Sequence, residues 1–412
     1  MSRIAIAWMG LSAALIALTA SPASAATEHV LWSFKKPDRG YPLGRLLVRG
    51  DALYGMDSAF GDGGNGAVFA LHQADNAWTE KTLVKFDGTN GSEPFAGLMT
   101  SSGTLYGTTA YGGSYNCGIV FSARKQKGSW RHHTLWSFGK DSSDGCNPTA
   151  DLVMDSSGNI FGTTTGGGGG GGNCGGGCGT VFELSPQVGR GWSETVLHVF
   201  EDGSDGAAPR AGLFLDRQRN LFGTTSAGGG RNCLVGCGVV YEVSPDGGKW
   251  SFNTIHTFEG NDGGMPWGVL IAGPKGTLYG TTTTGGTFGY GAVYSLAPSN
   301  GNWTEHVLYS FQNLDDGGTP QAALTRSEGG VLYGTAFSGG QSGCTENVGC
   351  GVVFQLTQTK GAWTESVLYA FSGGSDGGNP AAAVNLDGAG NLYSTSYAGG
   401  AYGNGTVWEV TP

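Results

Sequence analysis

The pentapeptide Leu-Tyr-Gly-Thr-Thr at 105–109 occurs seven times with small changes, starting at Leu53, Leu105, Ile160, Leu221, Leu278, Leu332 and Leu392. Successive starts lie 52, 55, 61, 57, 54 and 60 residues apart. That period is too long for most helical solenoids and close to that of propeller blades, units that bury their faces only against neighbours. The chain therefore reads as one unit copied seven times.

The sixth unit shows the strand pattern. Residues 322–326 and 331–335 are short apolar runs separated by Ser327-Glu328-Gly329-Gly330, a hairpin signal, and predict strands A and B. A Gly-rich loop leads to 352–356, strand C, and a further turn reaches 363–371, strand D. Four strands per unit is the blade of a β-propeller. At the chain ends, residues 28–34 read as a D strand with no A, B or C before it, whereas 405–410 read as a C strand with no D after it. The expectation is an all-β, seven-bladed β-propeller, four antiparallel strands per blade, closed by N-terminal strand 28–34 pairing with the last blade. Such closure removes the exposed sheet edge that templates aggregation. Composition agrees: 79 of 412 residues are Gly, which favours turns over helices, and only 13% are charged.

Residues 1–25 stand outside the repeat. Arg3, the apolar run 4–18 and Ala23-Ser24-Ala25 read as a secretory signal peptide, which leaves 26–412 as a single propeller domain. No later stretch is long and apolar enough for a membrane span, and no Cys near the cleavage region could carry a lipid. A secreted or periplasmic monomer without membrane insertion is expected. A net charge of -10 argues against nucleic acid as a partner.

Most repeated columns have structural uses. Trp78, Trp130, Trp192, Trp250, Trp303 and Trp363 start D strands on the face that packs between blades. Glu28, Glu80, Glu194, Glu305 and Glu365 share one D-strand column, where charge on an outermost strand discourages edge pairing. His198 and His256 occupy a column held by Trp32, Trp136, Tyr309 and Tyr369 in sister blades, which reads as packing. Asp144, Asp205, Asp262, Asp316 and Asp376 precede Gly in the D-to-A loops, ahead of Pro148, Pro209, Pro266, Pro320 and Pro380. Acidic loops on one face are weak candidates for Ca²⁺, the only cofactor the chain suggests; Asp-Gly turns followed by a strand-opening proline explain the same pattern without metal.

Eight cysteines behind a signal peptide read as disulfides. Cys117 and Cys146 belong to loops of the second blade that emerge on one face and can meet. Cys174 with Cys178, Cys233 with Cys237, and Cys344 with Cys350 pair most simply within their own B-to-C loops. Two Cys-x-x-x-Cys loops on adjacent blades could instead supply four thiolates to zinc, a rival that an oxidising compartment disfavours.

No nucleophile elbow, phosphate loop or HExxH is present, and no catalytic residue is assigned. On a repeated frame, function belongs where the frame is constant and the side chain varies. The residue after each strand-opening proline is such a column: Leu43, Phe95, Thr149, Arg210, Trp267, Gln321 and Ala381. Strand A is innermost, so these seven are expected to ring the mouth of the central channel, with Tyr111 and Tyr397 from neighbouring B-to-C loops. Phe95, Arg210, Trp267, Gln321, Tyr111 and Tyr397 are the candidate ligand-binding residues, suited to stacking on sugars or anchoring a protein. Covering the hydrophobic blade ends would serve equally well as their role.

The pieces G-x-V-F-x-L, W-T-E-x-V-L-Y-x-F, D-G-x-x-P and L-Y-G-T-T-x-x-G-G together resemble the GloVer tandem-repeat family, also called choice-of-anchor repeat proteins, across essentially all of the mature chain. The first unit, Leu53-Tyr54-Gly55-Met56-Asp57, is degenerate. The resemblance implies an exported bacterial repeat protein with no established activity. Members often carry a C-terminal surface anchor; this chain departs from that pattern, which leaves surface attachment open. The leading expectation is a glycan- or protein-binding scaffold using the face of the B-to-C and D-to-A loops. The alternatives are a glycoside hydrolase or polysaccharide lyase at the channel mouth, which two convergent carboxylates would favour, and a purely structural envelope protein.

Overall fold

The computed structural model describes residues 26–412 apart from 36–37, 61–63, 76, 170–173, 190, 231 and 345–347. The predicted signal peptide, 1–25, lies outside the described residues. Seven four-stranded antiparallel sheets form a seven-bladed propeller. Blades 1 to 6 span 47–85, 99–137, 153–199, 214–257, 271–310 and 325–370, each with its strands in the order A-B-C-D. In blade 6 these are Thr325–Arg326, Leu332–Ala336, Val352–Thr359 and Ala362–Ala370.

Blade 7 is assembled from both ends of the chain. Its A, B and C strands are Asn385–Leu386, Leu392–Ser396 and Thr406–Thr411, and its outermost strand is Thr27–Ser33. Thr27 pairs with Thr411 and Ser33 with Thr406, the closure expected from the strand count. Every C–D pairing also carries a register shift near the start of its C strand, the extra twist of a β-bulge repeated seven times.

Strand A is shorter than its apolar run suggests, two or three residues in every blade. Before it, the segment on the channel wall accepts a threonine hydroxyl from the preceding blade in six of the seven blades; the first unit carries Met56 at that position. Thr281 Oγ1 of blade 5 donates to the Ala322 carbonyl at 2.9 Å, Thr163 to Ala211 at 3.0 Å, Thr335 to Ala382 at 3.0 Å, and Thr395 to Pro42 across the ring closure at 3.1 Å. These are the first threonines of the repeated pentapeptide. They satisfy carbonyls that an unpaired innermost segment would otherwise leave buried and orphaned.

The other motif residues also serve packing. The motif glycine sits under the aromatic ring of strand C: a Cβ at Gly223 would lie 2.3 Å from the Tyr241 hydroxyl. The motif aromatic reaches sideways to the tryptophan of the next blade, with Phe161 and Trp250 centroids 5.8 Å apart and Tyr279 and Trp363 6.1 Å apart. The tryptophan column therefore packs between blades, beside fully buried rings such as Phe200, Phe258 and Phe311.

Candidate functional site

The residue before each strand-opening proline fixes how the loops meet at the mouth. Tyr41, Glu93, Asn147, Ala208, Met265, Thr319 and Asn379 all have positive φ, between 48° and 74°. Few non-glycine residues adopt this left-handed conformation, and it persists where surrounding bonds over-determine it. Here they do: Asn147 N–H donates to the Cys117 carbonyl of blade 2 at 2.8 Å, and its own carbonyl accepts Thr165 N–H of blade 3 at 3.1 Å. Met265 does the same between the Cys237 carbonyl and Thr283 N–H. Each turn stitches two blades and aims the residue after the proline inward.

All seven of those residues line one cavity of about 410 Å³ at the mouth, with Tyr111, Asn147 and Thr165 on its rim. Phe95, Arg210, Trp267, Gln321 and Tyr111 are thus brought together. Tyr397 is not part of that lining: its ring packs against Tyr41, centroids 4.8 Å apart, and near Phe337 at 6.4 Å, in a separate aromatic cluster. Arg210 lies exposed with its guanidinium 5.1 Å from the centre of the Trp267 ring. Trp267 Nε1 and Thr149 Oγ1 are buried polar atoms without a hydrogen-bond partner. Ala110, Asn147 and Thr165 are the lining residues sequence reasoning passed over; the Asn147 column holds residues as unlike as Tyr41 and Met265 and carries no ligand-binding pattern.

Four disulfides brace the surrounding loops: Cys117–Cys146, Cys174–Cys178, Cys233–Cys237 and Cys344–Cys350, the pairing expected from loop positions. They fit an oxidising compartment. No helix among the described residues is long and apolar enough to cross a membrane.

The aspartate column works inside its own loops. Asp205 accepts the N–H of Glu201 at 3.0 Å and meets His198 Nε2 at 3.2 Å. Asp262 repeats this with Glu259 and His256, Asp316 with Gln312 and the Tyr309 hydroxyl, and Asp376 with Ser372 and the Tyr369 hydroxyl. Asp144 accepts Gly139 and Lys140 N–H. The His and Tyr of strand D are therefore polar latches on these loops as well as packing residues. Among the described residues, no three His, Cys, Asp or Glu gather where they could hold a metal ion.

The glutamate column has a second partner. Glu194 of blade 3 faces Asp144 and Asp141 of the preceding loop, and burial together with those charges pushes its carboxyl up to about 8. Burial and Asp376 raise Glu28 to about 7, and burial and Asp316 raise Glu365 to about 7. Glu305 is raised to about 7 by burial and Asp262, with His256 opposing. Each of the four keeps one buried carboxyl oxygen without a partner. These side chains do more than charge an edge: they are half-buried acids pressed against the preceding loop's carboxylate, and the neutral acid is the form that site favours.

The family model described as the Gloeobacter/Verrucomicrobia repeat matches residues 16–236 and 234–412. The chain belongs to this repeat family. No curated protein matches it. Among solved structures, the Gloeobacter/Verrucomicrobia repeat chain is similar to a proposed 6-phosphogluconolactonase from Bacteroides uniformis, at 14% identity and TM-score 0.50, over 79% of this chain and 84% of that one. It is also similar to a puromycin-hydrolyzing peptidase from Mycobacterium tuberculosis, at 12% identity and TM-score 0.50, over 87% of this chain and half of the peptidase. At such identities the likeness is one of fold alone.

Proposed function

We propose that the protein is a glycan-binding module whose site is the loop-face mouth of the channel. One observation carries this: on a frame repeated seven times, the seven positions that differ most converge on one cavity, and they include Trp267, Phe95 and a single cation, Arg210. Aromatic rings offer faces to the C–H side of a sugar, and Arg210 and Gln321 offer hydrogen bonds to its hydroxyls. Asp151 is the one carboxylate among the residues lining the mouth and the upper channel, whereas glycoside hydrolysis by an acid pair takes two. That difference favours binding over hydrolysis.

The test is a glycan array probed with the wild-type protein, Trp267→Ala and Arg210→Ala. The proposal expects a defined set of glycans on the wild type, with Trp267→Ala weakening them on the order of tenfold or more. Equal binding by all three proteins, or no glycan bound by the wild type, overturns it.

A further inference from the structure

Below the mouth the channel narrows to a second ring, set by the third residue after each strand-opening proline. Five of these seven positions are Gly or small apolar: Gly97, Gly212, Val269, Ala323 and Ala383. The remaining two are Arg45 and Asp151, on either side of Gly97 in the order of blades. Both also line a cavity of about 1130 Å³ that opens on the opposite face, that of the A-to-B hairpins.

The two charges are held but not spent on each other. Arg45 Nε donates to Asn385 Oδ1 of blade 7 at 3.0 Å, and Asn385 Nδ2 donates to the Leu46 carbonyl at 2.8 Å, so the guanidinium is aimed across the ring closure. Its outer N–H groups have no carboxylate within ion-pair distance among the described residues. Asp151 Oδ1 accepts the Gly97 N–H at 2.5 Å, a tight approach, since a Cβ there would meet that oxygen at 3.1 Å and the Arg45 carbonyl at 3.0 Å. Its second oxygen takes no hydrogen bond from the described residues. Burial raises the Asp151 carboxyl from its ordinary range, while the Gly97 N–H and Arg45 oppose that rise. Leu98, Leu152 and Leu386 lie on the wall around the pair, and the same cavity is also lined by Arg326, Glu328 and Asp387 of the A-to-B hairpins.

We propose that this waist, below the mouth in the same channel, is a second binding site, for a small zwitterion of the α-amino carboxylate class. Its carboxylate takes the Arg45 guanidinium, its ammonium takes Asp151, and its side chain lies on the aliphatic wall. A neutral polyol would leave both protein charges uncompensated, and a simple anion or cation would leave one. The A-to-B hairpin face supplies the way in.

Isothermal titration calorimetry with alanine, propionate, ethylamine and glycerol tests the assignment. Alanine binds, and propionate, ethylamine and glycerol bind on the order of tenfold more weakly or not at all. Arg45→Gln, a change at an exposed side chain, weakens alanine by a similar factor, and so does Asp151→Asn in protein whose melting temperature shows it folded. Trp267→Ala leaves alanine binding unchanged, which separates this site from the glycan site. Glycerol or propionate binding as tightly as alanine, no heat with alanine in the millimolar range, or unaltered binding by Arg45→Gln overturns the proposal.

Discussion

Replacing Glu194 with Gln should make the protein more stable in mild alkali and leave it unchanged in mild acid. Glu194 faces Asp144 and Asp141, and in the folded protein its carboxyl is raised from 4.5 to about 8, first by burial and then by those two charges. The folded state therefore holds a proton that the unfolded chain releases near 4.5. Between these values the folded state binds more protons, so this contribution is fully present below pH 4.5 and is lost as pH rises through 8. At about 1.36 kcal/mol per pH unit the full shift would be an upper bound of roughly 5 kcal/mol. Water reaching a half-buried carboxyl screens it, and about 1–2 kcal/mol is the expected effect. Gln keeps an N–H donor for the orphaned Asp144 oxygen without a proton to lose. In a domain of this size that is a shift of about 1–4 °C. Melting curves of wild type and Glu194→Gln at about pH 5 and pH 9 provide the assay, because the other three acids titrate alike in both proteins. The variant should melt higher only at the alkaline pH. A gap that does not change with pH, or a variant less stable at both, would refute the carboxyl pair.

Three further outcomes follow from the packing. Gly223→Ala puts a Cβ 2.3 Å from the Tyr241 hydroxyl and should cost about 1–3 kcal/mol in urea denaturation. Thr281→Val removes the bond to the Ala322 carbonyl of the next blade and should cost about 1–2 kcal/mol by the same measurement; no loss would mean that the inter-blade bond is idle. Cys117→Ser with Cys146→Ser opens a bridge spanning 29 residues, against 4 for Cys233–Cys237, so it should lower stability by about 3 kcal/mol and by more than removal of the shorter bridge does.

Much of this architecture is legible in the sequence because it repeats. The pentapeptide sets strand B, the unmatched strands at 28–34 and 405–410 announce the closure, and loop positions pair the cysteines. What is not legible is what passes between blades. His198 and Tyr309 read as interchangeable packing residues, since nothing in a linear pattern shows that both latch an aspartate several residues ahead. The glutamates read as edge charges because their partner, the preceding blade's loop, lies about fifty residues away, as with Glu194 and Asp144. Strand A is shortened by threonine bonds from the neighbouring blade, which propensity along the chain does not record. The left-handed turn before each proline was hidden for another reason: residues as unlike as Tyr41, Met265 and Thr319 adopt it under tertiary bonds alone. At the candidate site the column after the prolines was legible from its variation on a fixed frame. Tyr397 was grouped with it because its loop shares the face, but its ring turns to Tyr41.

Whether a sugar sits in the loop-face mouth is decided by a crystal structure with the strongest array ligand. The sugar ring should lie within contact of Trp267, with Arg210 or Gln321 hydrogen-bonded to its hydroxyls. A sugar seated between outer strands, or bound with the mouth left to water, would contradict it.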